Sequence, residues 1–152
     1  QRSALVRPDM PALTPDGLVG KVLKTSPHFS KLLLLTDPNS RIPVISSNNR
    51  SKAILKGRGA DAALRLKYVA RNSPLSEGEI VVTSGLGGIF PKGIPVARIT
   101  QIEQTSHSLF QEVKAKPLVN LQGLEEVLLL RQSEGHKPEG LSPGHSSLLR
   151  LD

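Results

Sequence analysis

The sequence predicts an all-β protein made of one or two small barrels, on three observations. Turn-forming residues recur at short intervals, at Thr14-Pro15-Asp16-Gly17, Asp37-Pro38-Asn39-Ser40, Ser46 to Asn49, Gly57-Arg58-Gly59, Asn72-Ser73-Pro74, Gly85 to Gly88 and Lys92-Gly93. The apolar and alternating runs between these turns are too short for ordinary helices. Residues 63–69 alternate cleanly, with Leu64, Leu66 and Tyr68 on one face and Arg65 and Lys67 on the other, as a strand with one dry face requires.

In chain order, Leu13-Thr14 reads as a strand end that turns through Gly17 and Gly20 into a second strand. Leu32 to Leu35 is an aliphatic strand closed by the turn at Asp37-Pro38. The densest stretch is Glu79 to Ile99. Val81 and Val82 are β-branched and follow the turn pair Glu77-Gly78, while Gly85, Gly87 and Gly88 give the backbone freedom where side chains would clash. Ile89 and Phe90 bring apolar bulk after the glycines, and Pro91-Lys92-Gly93 turns the chain back. A strand over residues 94–102 follows, with Val96, Arg98, Thr100 and Ile102 on one face and Ala97, Ile99 and Gln101 on the other. Residues 109–115 alternate less cleanly. Asn120 caps a single helical turn reaching to Glu126, and Val127 to Leu130 is a short terminal strand. Gly, Pro, Ser and His dominate residues 132–152, which lack periodicity and read as a disordered tail in which Leu148, Leu149 and Leu151 are incidental. The pattern Leu13-Thr14, Gly17-Leu18, Gly20 is echoed at the same spacing by Val82-Thr83, Gly85-Leu86, Gly88, either as two related β units or as two turns of similar make.

Composition narrows the function. The 152 residues suit one domain or two small ones around an aliphatic core, since aromatics are 3% and Trp is absent. Scarce aromatics disfavour modules that stack single-stranded bases. The absence of cysteine excludes a disulfide scaffold and thiolate chemistry without deciding the compartment. No apolar run exceeds four residues, far from the roughly 20 of a membrane helix.

The formal net charge of +7 is localised. Residues 41–72 hold Arg41, Arg50, Lys52, Lys56, Arg58, Arg65, Lys67 and Arg71 against Asp61 alone, and the remaining 120 residues balance at twelve basic and twelve acidic. The field of the protein therefore arises from one run of strands and turns. Solvated outer faces that discourage edge-to-edge pairing are one reading. Nucleic-acid phosphates, anionic lipid headgroups and an acidic protein face are the partners such a surface would fit.

Catalytic patterns fail one by one. Gly85-Leu86-Gly87-Gly88 lacks the third glycine of a dinucleotide loop, because position 90 is Phe90, and a strand rather than a helix follows. Ser84 sits beside Gly85 without the surroundings of a hydrolase nucleophile, although His28 and His107 are conceivable bases. The four histidines, His28, His107, His136 and His145, stand far apart with no carboxylate at ligand spacing, so neither a metal nor a cofactor is expected. Glu125 and Glu126 are neighbours on a surface turn and project differently.

Four motifs in order resemble one bacterial family. Asp16-Gly17-Leu18-Val19-Gly20-Lys21-Val22, Leu33-Leu34-Leu35-Thr36-Asp37-Pro38, the Glu79 to Ile99 stretch and the closing Val113 to Val127 segment are similar to the rod shape-determining protein MreC family over most of residues 10–130. Ala97, where the family often has glycine, and Glu79, in place of an aspartate, are mild departures. The resemblance implies two small six-stranded barrels, here divided as 1–62 and 63–131. It further implies a membrane helix and coiled coil upstream of Gln1, leaving the first strand truncated, and a location on the periplasmic side of the cytoplasmic membrane. It implies a non-enzymatic scaffold of the cell-elongation complex that self-associates, binds and activates the elongation-specific penicillin-binding transpeptidase, and connects to MreD and MreB. Candidate partner-binding residues are the apolar cluster Leu86, Ile89, Phe90 and Pro91, with Phe90 alternatively the plug of a barrel end, and the basic Arg50, Lys52, Lys56 and Arg58. Gly17, Gly20, Gly85, Gly87, Gly88 and Gly93 are the structural turns. Two rivals stand beside this reading: a basic nucleic-acid-binding barrel, and a protease-like double barrel in which Ser84 meets a histidine.

Overall fold

The computed structural model describes residues 6–59, 64–104, 107–131 and 146–150, and these described residues are all-β apart from a 3-10 turn at Leu121–Gly123. The strands are β1 (Pro11–Thr14), β2 (Gly17–Thr25), β3 (Ser30–Leu34), β4 (Arg41–Ser46), β5 (Lys52–Lys56) and β6 (Leu64–Ala70). They continue as β7 (Ile80–Thr83), β8 (Pro95–Glu103), β9 (Phe110–Pro117), β10 (Glu126–Leu130) and β11 (Ser146–Arg150). Asn120 caps the 3-10 turn by accepting from the Gln122 backbone N–H, as the sequence anticipates.

Strands β4-β5-β6-β9-β8-β7 close into a barrel, every pair antiparallel. Its interior is aliphatic: Ile42, Val44, Leu55, Leu64, Leu66, Val81, Ile99, Val113 and Ala115 are all buried there. A barrel of so few strands has a narrow bore, which branched aliphatics and alanine suit.

Three bulges in the barrel break the alternation expected from sequence, one of them at Val96, which the β7 pairing skips so that Val96 and Ala97 are both buried. In β6 the pairing with β9 shifts between Leu66 and Val69, so Val69 turns inward and Tyr68, at φ 67°, turns out to solvent. In β8 the shift between Ile99 and Gln101 makes Thr100 the extra residue, and Ile102 then packs towards the core on the side of Ile99. A period of two carried straight through any of these bulges assigns the later side chains to the wrong face.

The remaining strands form a five-stranded sheet, β11-β10-β1-β2-β3. The strand grouping thus departs from the 62/63 division. β4 and β5 pair into the barrel, while β10 returns to pair with β1 at Ala12↔Leu129 and Leu13↔Leu128. That ladder joins segments more than a hundred residues apart, a separation that local patterns do not register. Among the described residues this second unit is a sheet with edges at β3 and β11, rather than a sixth-strand-closed barrel. Part of the expected tail is ordered too: residues 146–150 pair with β10 from Glu126↔Arg150 to Leu130↔Ser146, and Leu149 packs on the sheet's apolar cluster. An unpaired β10 edge and its Val-Leu-Leu-Leu run supply the reason. Residues 132–145 and 151–152, Leu151 included, lie outside the described residues.

Sheet and barrel meet closely. Leu18 of β2 and Leu35 after β3 are fully buried in the barrel's cluster, whereas Val19, Val22, Val127 and Leu129 form a second core with Met10 and Val119. A Cβ on Gly17 would stand 2.8 Å from the Pro95 carbonyl oxygen, so glycine permits this approach. Gly20 is tighter, its Cβ position lying 2.0 Å from the Leu33 carbonyl oxygen of the neighbouring strand. The proposed echo therefore divides on inspection: β1 and β2 form a tight hairpin with Thr14 opposite Gly17, but residues 84–94 form a long loop, and Leu18 is buried where Leu86 is exposed.

Candidate functional site: docking surfaces

Residues 84–94 connect β7 to β8 at the barrel end that faces the sheet. Gly87 at φ 82° and Gly88 at φ 77° take the left-handed conformation, with Gly85 at φ 85° and Gly93 at φ 98° bracketing the loop. Thr83 fixes its base: the hydroxyl donates to the Pro91 carbonyl at 2.5 Å and accepts from Ile94 N–H at 2.9 Å. Of the four apolar candidates, Leu86 is 54% exposed, Pro91 is exposed, and Ile89 is half-buried against the core. Phe90 is only 5% exposed and lines a crevice with Gly20, Leu33 and Arg41, so it plugs the barrel end against the sheet and is withdrawn from the docking set. The sequence offered both roles for Phe90, and packing decides for the plug.

The four basic candidates do not form one cluster. Arg50, at φ 62° in the β4–β5 turn, and Lys52 lie at the barrel end away from the sheet. Lys56 and Arg58 lie at the sheet end, about 13 Å along β5 from Lys52. Lys56 Nζ donates to the Pro38 carbonyl at 2.6 Å, which tethers it to the β3–β4 connection.

The far end is held by polar side chains. Buried Glu79 accepts from the Ser46 hydroxyl through one carboxylate oxygen and from Ser76 N–H at 3.0 Å through the other, joining β4 to the loop before β7. Gln111 donates to the carbonyls of Ala70 and Ser73 at 2.8 and 2.9 Å, and Asn49 donates to the Pro74 carbonyl. The acidic side chain at 79 is therefore a structural tie whose length matters.

Sequence reading missed an exposed aromatic pair. Tyr68 is 55% exposed and packs edge-to-face on Phe110, centroids 5.8 Å apart at 88°, with Leu109 80% exposed beside them. Alternation assigned Tyr68 to the core; the signal that would have placed it outside is the bulge, which only the β9 pairing reveals.

The Ser84 hydroxyl accepts from Leu86 N–H in a local turn, at the opposite barrel end from exposed His107, while His28 is on the β2–β3 hairpin of the sheet. Among the described residues no three His, Asp or Glu side chains converge as a metal site, and no helix is long and apolar enough to cross a membrane.

Comparison with known proteins gives a consistent result. The family model for the barrel core of the rod shape-determining protein MreC matches residues 2–131. The cell shape-determining protein MreC of Haemophilus influenzae is 38% identical over 135 residues, which cover 88% of this chain and 38% of that protein. This chain thus spans well under half the length of that relative. The crystal structure of MreC from Pseudomonas aeruginosa superposes with a TM-score of 0.79 at 38% identity, covering 82% of this chain and 81% of that one. A complex between a penicillin-binding protein (PBP2) and MreC from Helicobacter pylori matches with a TM-score of 0.62 at 19% identity, over 74% of this chain and 69% of that one, which is likeness of fold. The family is a structural, shape-determining one rather than an enzyme family. The two-part β architecture, the glycine-dense loop and the family match over residues 2–131 lead to one conclusion: this chain belongs to the rod shape-determining protein MreC family.

Proposed function

We propose that the chain is a scaffold domain of the cell-elongation machinery that binds the elongation-specific peptidoglycan transpeptidase on the periplasmic side of the cytoplasmic membrane. The observation that carries this reading is the Helicobacter pylori relative, whose MreC is in complex with a penicillin-binding protein and shares this fold. A rigid barrel with exposed apolar and basic surface suits that task. Leu86 and Pro91 offer apolar contact on a loop anchored by Thr83, and Arg50, Lys52, Lys56 and Arg58 offer charge at the two ends of β5.

Activation of the transpeptidase follows from binding energy: a scaffold that prefers one conformation of its partner raises the population of that conformation. Self-association uses β3, the edge of the five-stranded sheet among the described residues, to which a further strand can add. Attachment to the membrane through an N-terminal helix of the full-length protein, and links to MreD and MreB, complete the proposal.

Calorimetry of this domain against the soluble ectodomain of the transpeptidase, at low and high salt, tests it. Saturable binding that survives salt supports the scaffold. Absence of that binding, with tight salt-sensitive affinity for duplex or single-stranded nucleic acid instead, overturns it.

A further inference from the structure

The strand register aligns cations that the sequence scatters. Arg41 of β4 stands directly opposite Lys56 of β5, Lys56 opposite Arg65 of β6, and Arg65 opposite Lys114 of β9. Four adjacent strands of the closed barrel thus carry one unbroken row of positive side chains around its outside. Directly opposed like charges repel and weaken a sheet, so the row opposes folding. Lys56 is tethered to the Pro38 carbonyl; for Arg41, Arg65 and Lys114 no ion pair exists among the described residues. The row ends where Lys114 meets Gln101 of β8; Glu112, two residues from Lys114 on the same face of β9 and opposite Glu103, is a carboxylate in the groove beside it and requires the partner's acidic side chains to lie on the row rather than over Glu112.

A second, independent feature adjoins the row. The bulge after Leu66 turns Tyr68 outward at φ 67°, a left-handed conformation unfavourable for an aromatic residue, and seats it on Phe110. Arg65, Lys67, Tyr68 and Phe110 line one shallow groove. Charge repulsion and backbone strain are thus both retained on the same outer face, where neither helps the barrel to fold.

We propose that the outer face of β4, β5, β6 and β9 is a docking surface for an acidic segment of a partner protein carrying one apolar anchor, the carboxylates lying along the Arg41-Lys56-Arg65-Lys114 row and the anchor on Tyr68 and Phe110. With strands about 4.8 Å apart the row runs about 14 Å, the reach of four or five extended residues. It curves around four of the six barrel strands, which a flexible chain follows and a planar membrane does not. Single-stranded nucleic acid wants successive open ring faces, whereas these two rings meet edge-to-face. The inference is independent of whether the partner is the transpeptidase.

The test is fluorescence anisotropy with a labelled dodecapeptide of glutamates flanking a central Leu-Phe pair. Comparators are the same peptide with Gln for Glu, the same peptide with Ala for Leu-Phe, oligothymidylate, and phosphatidylglycerol vesicles. The acidic, anchored peptide should bind at least about tenfold tighter than either altered peptide. Arg65→Glu should weaken it at least about tenfold while raising Tm, because the new carboxylate sits between Lys56 and Lys114. Tyr68→Gly should weaken it several-fold with Tm held or raised, since glycine accepts the positive φ without strain. If Arg65→Glu does not fold, Lys114→Gln carries the same expectation of weakened binding. Equal affinity for the Gln peptide, unchanged affinity in the variants, lower Tm in Tyr68→Gly, no binding at all, or preference for oligothymidylate or vesicles would each overturn the proposal.

Discussion

The barrel and the sheet have almost the same ingredients and opposite boundary conditions. The barrel is drawn from one continuous stretch, 41–117, and closes on itself through the β4–β7 pairing, so every strand has two neighbours. The sheet is assembled from remote pieces, 11–34 on one side and 126–130 with 146–150 on the other, and among the described residues it ends in strands with one neighbour each. Closure removes edges and leaves loops and outer faces for recognition; openness leaves a backbone edge available. The lesson is a division of labour in which the barrel presents side chains and the sheet presents main chain.

The largest expected perturbation joins the two regions. Phe90→Ala empties the plug between barrel and sheet and should cost about 3–5 kcal/mol in urea unfolding; a loss well under 1 kcal/mol would mean that Phe90 is not a packing residue after all. Gly20→Val places side-chain atoms against the Leu33 carbonyl and should cost about 3 kcal/mol. Hydrogen exchange should locate that damage in β2 and β3 and spare the barrel; equal loss of protection in both regions would deny their separateness.

A smaller effect is expected inside the barrel. Glu79→Ala leaves the Ser46 hydroxyl and Ser76 N–H without their carboxylate partner and should cost about 2 kcal/mol, with protection lost first at the barrel end away from the sheet. Protection lost first around residues 84–94 would contradict this placement. The smallest effect belongs to the sheet's outer edge: ending the chain after Arg131 removes β11 and its half-buried Leu149, and should lower stability by about 1 kcal/mol. Faster exchange confined to β10 is the expected readout, and a drop in Tm as large as that of Phe90→Ala would show the edge to be part of the core.

Local signals made much of the fold legible. The β-branched pairs at Val81 and Val82, the glycine-dense loop and the Asn120 cap each specify conformation within a few residues, and each is found where the sequence puts it. The candidate site was legible less evenly. Leu86 is exposed as a turn-tip leucine should be, yet Phe90, four residues on, is buried in the barrel's apolar cluster. Tyr68 fails in the opposite direction, since a bulge exists only relative to a partner strand.

What the sequence by itself determined is the all-β class, the aliphatic core, the turns and the location of the net positive excess in residues 41–72, because composition, periodicity and φ preference act over short distances. Tertiary structure alone decided which strands pair, that β4 and β5 join the barrel, that residues 146–150 cover an edge, and that Arg41, Lys56, Arg65 and Lys114 stand in one row. Register is a relation between distant segments, fixed by burying one face of every strand at once, and no single segment contains it.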